Sequence, residues 1–289
     1  MAELTGPPEL VPVLRPDYHR FSLRALSRYY RGEFAASTAV NIAYRGQIVI
    51  WVVTTVIQPL VLIPVWKSAA GPTGEIGGYT PGLFVTYFAV QTLVSHLTFH
   101  WLMWEFEFRI REGTFSPLLM RPIHPVHKDV CDVVSYKVVG LAGIIPGIVL
   151  LVAVYGGDLS GLTLARVALF VPAVLAASAL RFVLEWVLAL AAFWLTKVSA
   201  LNNLYGSVGF FLGGSFAPLA VLPTVVQHVA FWSPFPWTVA FPVEVVMGVR
   251  TGSDIAVGFA MQAGWIVVTL VLLGLIWRRA LRRYSAVGA

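Results

Sequence analysis

The chain has 289 residues, 58% of them hydrophobic and 12% charged, with a mean hydropathy of +0.78, a balance that excludes a soluble domain with a wet surface. The net charge of +6 comes with basic and aromatic residues interleaved only near the N-terminus, which argues against a nucleic-acid partner. The single cysteine, Cys131, excludes an intrachain disulfide and is expected to be a buried, inert thiol.

About 45 polar, basic residues come first, without the apolar core and cleavage site of a signal peptide, so the first apolar run is expected to act as its own insertion signal. Within them, residues 18–34 read as a helix lying on the membrane. Leu23, Leu26, Tyr30 and Phe34 share one face, and Arg20, Arg24, Arg28 and Arg31 form a stripe that can meet lipid phosphates. A solvated cytoplasmic helix is the plainer alternative.

A spanning helix needs about 20 predominantly apolar residues. Six runs qualify, at about 47–66, 83–104, 133–155, 164–195, 204–222 and 255–277. The expected architecture is therefore all-α: an N-terminal segment, 1–45, followed by one polytopic transmembrane domain, 46–289, with six spans. Lys and Arg near span ends are retained on the cytoplasmic side. They crowd three segments: Arg15 to Arg45, the insert between the second and third runs, and Arg278 to Arg283. With six spans all three fall on one side, which places both termini in the cytoplasm.

Pro59 and Pro64 in the first run permit a bend. His96 and His100 in the second run stand four apart, a spacing that puts both imidazoles on one helix face; proton or substrate contact competes with plain packing, and no third metal ligand is evident. A polar insert, 105–129, follows. In the fourth run Arg181 and Glu185 are spaced to pair, either as a structural staple or as a substrate contact. Gly140, Gly143 and Gly147 in the third run, and Gly206, Gly209 and Gly213 in the fifth, allow close helix approach; whether the neighbour belongs to this chain or to a second copy stays open. Between 223 and 247, Pro223, Pro234, Pro236 and Pro242 divide an apolar stretch into pieces too short to cross, read as two helices dipping back into the outer leaflet.

No phosphate-cradling G-x-x-x-x-G-K-[ST] loop exists, so energy must come from elsewhere. No catalytic constellation can be assembled either, and neither catalytic nor metal residues are assigned.

The run FRIREGTFSPLLMRP, Phe108 to Pro122, followed by Pro218-Leu219, Leu222-Pro223, Pro234-Phe235 and Pro242, resembles the membrane subunit of a type-2 ABC exporter, and the resemblance covers essentially the whole chain. It implies that the insert is a coupling helix docked into a separately encoded ABC ATPase dimer, which holds the ATP and Mg. Gly113 would allow the turn, and Phe115, Leu118 and Leu119 would form an apolar knob. Arg111, Glu112 and Arg121 would rim the knob, with Thr114 and Pro122 completing the segment. A second permease subunit, the same chain or a homologous one, is also implied, as is residence in the plasma or inner membrane. The first, second and fifth spans would then open the path. The alternative is an ion-coupled secondary transporter using His96, His100, Arg181 and Glu185.

Overall fold

The computed structural model describes residues 22–71, 74–195 and 197–283. Among these, the only non-helical pairing is an isolated bridge between Ile76 and Tyr79. In chain order the helices are α1 Leu23–Ala43, α2 Arg45–Ala70, α3 Pro81–Thr98, α4 Leu102–Arg111, α5 Ser116–Leu119 and α6 Val126–Tyr155. There follow α7 Leu164–Ala189, α8 Ser199–Leu212, α9 Thr224–Phe231, α10 Ala240–Met247 and α11 Ser253–Arg283.

Among the described residues, five stretches are long and apolar enough to cross a membrane: α2, α3 with α4, α6, α7 with the 3-10 turn Leu190–Phe193, and α11. The fifth expected span, 204–222, is not one continuous helix. α8 has 14 residues, about 21 Å at 1.5 Å per residue and short of a hydrocarbon layer of about 30 Å. It stops at Gly213, and Gly214 turns the chain with a φ of +86°, a conformation that side chains resist. The distant Tyr87 hydroxyl donates to the Gly214 carbonyl at 2.8 Å and holds the turn. Beyond it, α9 and α10 are the two short helices expected between 223 and 247, and every residue of α10 is buried.

α1 runs past the 18–34 expected of it and starts on Ser22, whose hydroxyl accepts the Ala25 amide at 3.2 Å. Arg24, Arg28 and Arg31 are exposed, whereas Arg20 lies outside the described residues. The opposite side of α1 is tied to α6 by a polar seam. Tyr30 meets His127 Nδ1 at 2.8 Å, Thr38 meets the Ser135 hydroxyl at 3.0 Å, and Asn41 donates to the same hydroxyl at 2.9 Å. Ser37 also donates to Asp132.

Gly140, Gly143 and Gly147 are packed within this chain. A methyl group added at Gly140 would lie 2.4 Å from the His96 ring, and at Gly143 and Gly147 it would press on Val52 and Val56 of α2. Gly209 faces Phe235, but an added methyl at Gly206 meets nothing within 4 Å.

The three basic segments converge at one end. Arg121 lies 3.9 Å from Glu33 of α1, and Phe115 stands edge-on to Trp277 of α11 with ring centroids 6.4 Å apart. At the other end, Lys67 donates to the Tyr155 carbonyl at 2.6 Å and Trp66 to that of Phe216 at 3.1 Å, joining the loops there.

Candidate functional site

The insert is built on α4. Arg109, 6% exposed, donates to Glu105 at 2.9 Å and to Asp129 Oδ1 at 2.6 Å, and Trp186 of α7 donates to Asp129 Oδ2 at 3.0 Å. Buried charge persists here because partners replace the lost hydration. Glu107 accepts the Val198 amide at 3.0 Å, filling one of the donors left open at the start of α8. α4 is thereby tied to α6, α7 and the head of α8 through polar groups.

Past α4 the chain turns at Gly113, φ +72°, the residue at which the resemblance implied a turn. The following residues reverse an expectation. Phe115 is fully buried and Leu118 nearly so, inside a cluster with Phe106, Trp186, Leu190 and Ala280. The Phe115 ring lies 5.3 Å from Phe106 and 5.6 Å from Phe193. These two side chains are anchors rather than a solvent-facing knob, because α4, α7 and α11 offer them an aromatic socket within the chain. Leu119 is half-buried. What faces outward is Arg111, Glu112, Thr114, Pro117, Arg121, Pro122 and above all Met120, 86% exposed.

His124 lies 4.7 Å from the Trp277 ring and accepts the Val126 amide at 3.2 Å. Burial, with His127 nearby, lowers its pKa to about 4, so the ring sits among the tryptophans neutral at pH 7, without a charge to hydrate.

Within the spans, the second expected run is interrupted. α3 ends at Thr98, and α4 restarts at Leu102. The carbonyls freed at the break are taken by a side chain from α6: Lys137 Nζ donates to those of His96 at 3.0 Å and Phe99 at 2.8 Å. In return, His96 Nε2 donates to the Lys137 carbonyl at 3.0 Å. The break also separates the histidines that helical spacing would align. His96 turns to α6, while His100 Nε2 faces the Ser178 carbonyl of α7 at 3.3 Å. Lys137 is a functional residue that the sequence reading did not single out; a lone lysine inside an apolar helix is the signal that could have found it. Arg181 and Glu185 pair as spaced, at 2.9 Å, with the guanidinium 5.1 Å above the Phe99 ring.

Two cavities flank the break. One of about 450 Å³ lies among α1, α4 and α6 and is lined by Glu33, Asn41, Glu105 and Asp132. The other, of about 350 Å³, is lined by Gln58, His96, Arg181 and Tyr205. Phe99, Trp101 and Tyr136 belong to both walls. Trp101 stands 4.6 Å from Trp51, 4.7 Å from Trp104 and 5.0 Å from Phe99, so an aromatic partition divides the two spaces.

Residues 49–288 match the sequence model of the family described as ABC-2 family transporter protein. The chain belongs to the ABC-2 transporter family. No curated protein and no solved structure matches it. Membership makes this an ABC-2 permease, a multi-pass membrane subunit of a transporter, in a family whose membrane subunits are generally not catalytic themselves and associate with an ABC ATPase. The match begins inside α2, so α1 lies outside it, whereas the α6 residues that α1 bonds lie within it.

Proposed function

We propose that this ABC-2 permease is the membrane half of an ATP-driven exporter, coupled to its ATPase through the segment that follows α4. ATP and Mg reside on that partner. Both termini and the segment face the cytoplasm, and a second permease subunit completes the path beside α2, the α3–α4 break and α8. The plasma or inner membrane is the site of action.

One observation carries the proposal. The exposed edge of residues 111–122 sits on a backbone whose other side is fixed by Phe115 and Leu118 into the cluster joining α4, α7 and α11. A pull on Met120, Arg121 or Glu112 therefore moves three helices together instead of bending a loop. ATP-driven closure biases membrane states only through contacts that differ between them, and a rigidly mounted edge supplies such contacts. For the ion-coupled alternative, His96 and His100 point to different helices, while His100 shares a cavity wall with Arg181 and Glu185.

The test is Met120→Asp with Arg121→Glu, both at exposed positions. Co-purification with the ATPase is expected to fall about tenfold or more, at normal membrane insertion and thermal stability. Unchanged association would sink the coupling assignment. Leu118→Asp is a poor probe because it buries a charge in the socket.

A further inference from the structure

A recess of about 410 Å³ opens where α1 passes into α2, between that junction, α4 and α6. Six aromatic side chains line it, Tyr44, Trp51, Trp101, Trp104, Phe108 and Tyr136, and among the described residues Glu105 is the one charged side chain in its wall. Trp101 meets Trp51 at an interplanar angle of 59° and Trp104 at 49°, so the rings form corners and do not cover one another's faces by stacking. The Glu105 amide donates to the Trp101 carbonyl at 3.0 Å, which places carboxylate and indole one helical turn apart on α4, and Phe108 follows three residues on along the same face. These groups are reachable: the Glu105 side chain is 47% exposed, Trp104 40% and Tyr44 63%.

The carboxylate is not fully matched within the chain. Its Oε1 accepts from Arg109 at 2.9 Å, but the same guanidinium also serves Asp129 at 2.6 Å and Asp132 at 3.8 Å. In the surrounding network Glu33, Glu105, Asp129 and Asp132 stand against Arg109, Lys128 and Arg121, four carboxylates to three cations, and Glu105 is the most exposed of the four. A carboxylate beside ring faces attracts a cation that sheds its water easily, because the ring quadrupoles and the negative charge act together. An inorganic cation asks instead for a shell of oxygen ligands, and this wall is mainly ring surface. Aromatic belts also form at membrane surfaces, but a belt faces lipid and needs no carboxylate among its rings.

We propose that this recess binds an organic monocation, a quaternary ammonium or phosphonium group, with its charge against Glu105 and the indoles and its apolar substituents among the remaining rings. The binding does not rest on the coupling proposal above. Nor does it follow from family membership, since Tyr44 in the wall lies ahead of the matched residues 49–288.

The experiment uses the full chain in dodecylmaltoside micelles without ATPase, so its failure is read apart from a failure of coupling. Equilibrium dialysis compares radiolabelled tetraphenylphosphonium with tetraphenylborate, an ion of the same shape and opposite charge. Saturable binding of the phosphonium, at least tenfold tighter than that of the borate, is expected above the level of empty micelles. Glu105→Gln should weaken it about tenfold and leave the borate unchanged, and Trp104→Leu should weaken it more than Trp104→Phe, which keeps a ring. Tyr44→Leu, at an exposed position of the wall, tests the same site without touching the ion pairs and should weaken binding severalfold. Equal binding of the two ions, or undiminished phosphonium binding by folded Glu105→Gln and Tyr44→Leu chains, would overturn the site. A choline headgroup carries the same chemistry as a free cation. Displacement of the phosphonium by dihexanoylphosphatidylcholine and not by dihexanoylphosphatidylglycerol supports a lipid occupant, no displacement by either supports a free cation, and equal displacement by both overturns recognition of the charge.

Discussion

The glycines of α6 and those of α8 share a spacing, and Gly206 of α8 differs from all three on α6. On α6 each position is filled from within the chain, by His96, Val52 and Val56. On α8 Gly206 fronts open space and lines two cavities at once. Small residues let helices approach but do not say what approaches; the bulk of the side chain opposite decides that. The glycine face of α6 is packed within the chain, and Gly206 of α8 borders a space.

The contrast can be broken most forcefully at the base of α6. Asp129→Leu leaves Arg109 buried with the half-exposed Glu105 and a longer contact to Asp132 at 3.8 Å, and losing one partner of a buried pair costs about 3–5 kcal/mol. A collapse of thermal stability is expected; a shift of only a degree or two would show that Asp129 is not the anchor described.

Next in size is Gly140→Val. The first added carbon alone would stand 2.4 Å from the His96 ring, and overpacking of this kind typically costs about 1–3 kcal/mol. Denaturation in detergent should show a clear loss, and His96→Ala in the same chain should restore part of it. Additivity of the two changes would count against the contact.

The smallest effect is expected on α8. Gly206→Ala meets nothing, and alanine exceeds glycine in a helix interior by about 0.8–1.0 kcal/mol, so stability should be unchanged or slightly higher. A marked loss would mean that this face of α8 is not open.

Legibility in the sequence followed the range of the interaction involved. The apolar runs, the turn at Gly113, the pair Arg181–Glu185 and the two short helices between 223 and 247 are set by neighbours a few residues away, and all could be read. The end of α8 could not, because the Gly214 turn is held by Tyr87 from α3. Nor could the break at residues 99–101, where nothing in composition marks a stop and the compensating donor, Lys137, arrives from α6. The histidine pair failed for that reason, since helical spacing holds only where the helix does. Phe115 and Leu118 were recognised as mattering but faced the wrong way: a short apolar motif in a polar insert fits a plug or a socket equally, and Trp186, Phe193 and Trp277, far along the chain, settle which.

The interruption beneath Thr98 has a mechanical meaning. A single unbroken rod from Pro81 to Arg111 would carry any tilt at its foot straight to the far leaflet. Cut in two and pinned by Lys137, its halves rest on different partners, α4 on the aromatic socket and α3 on α10 and the Gly214 turn, so a tilt of the one would not have to carry the other.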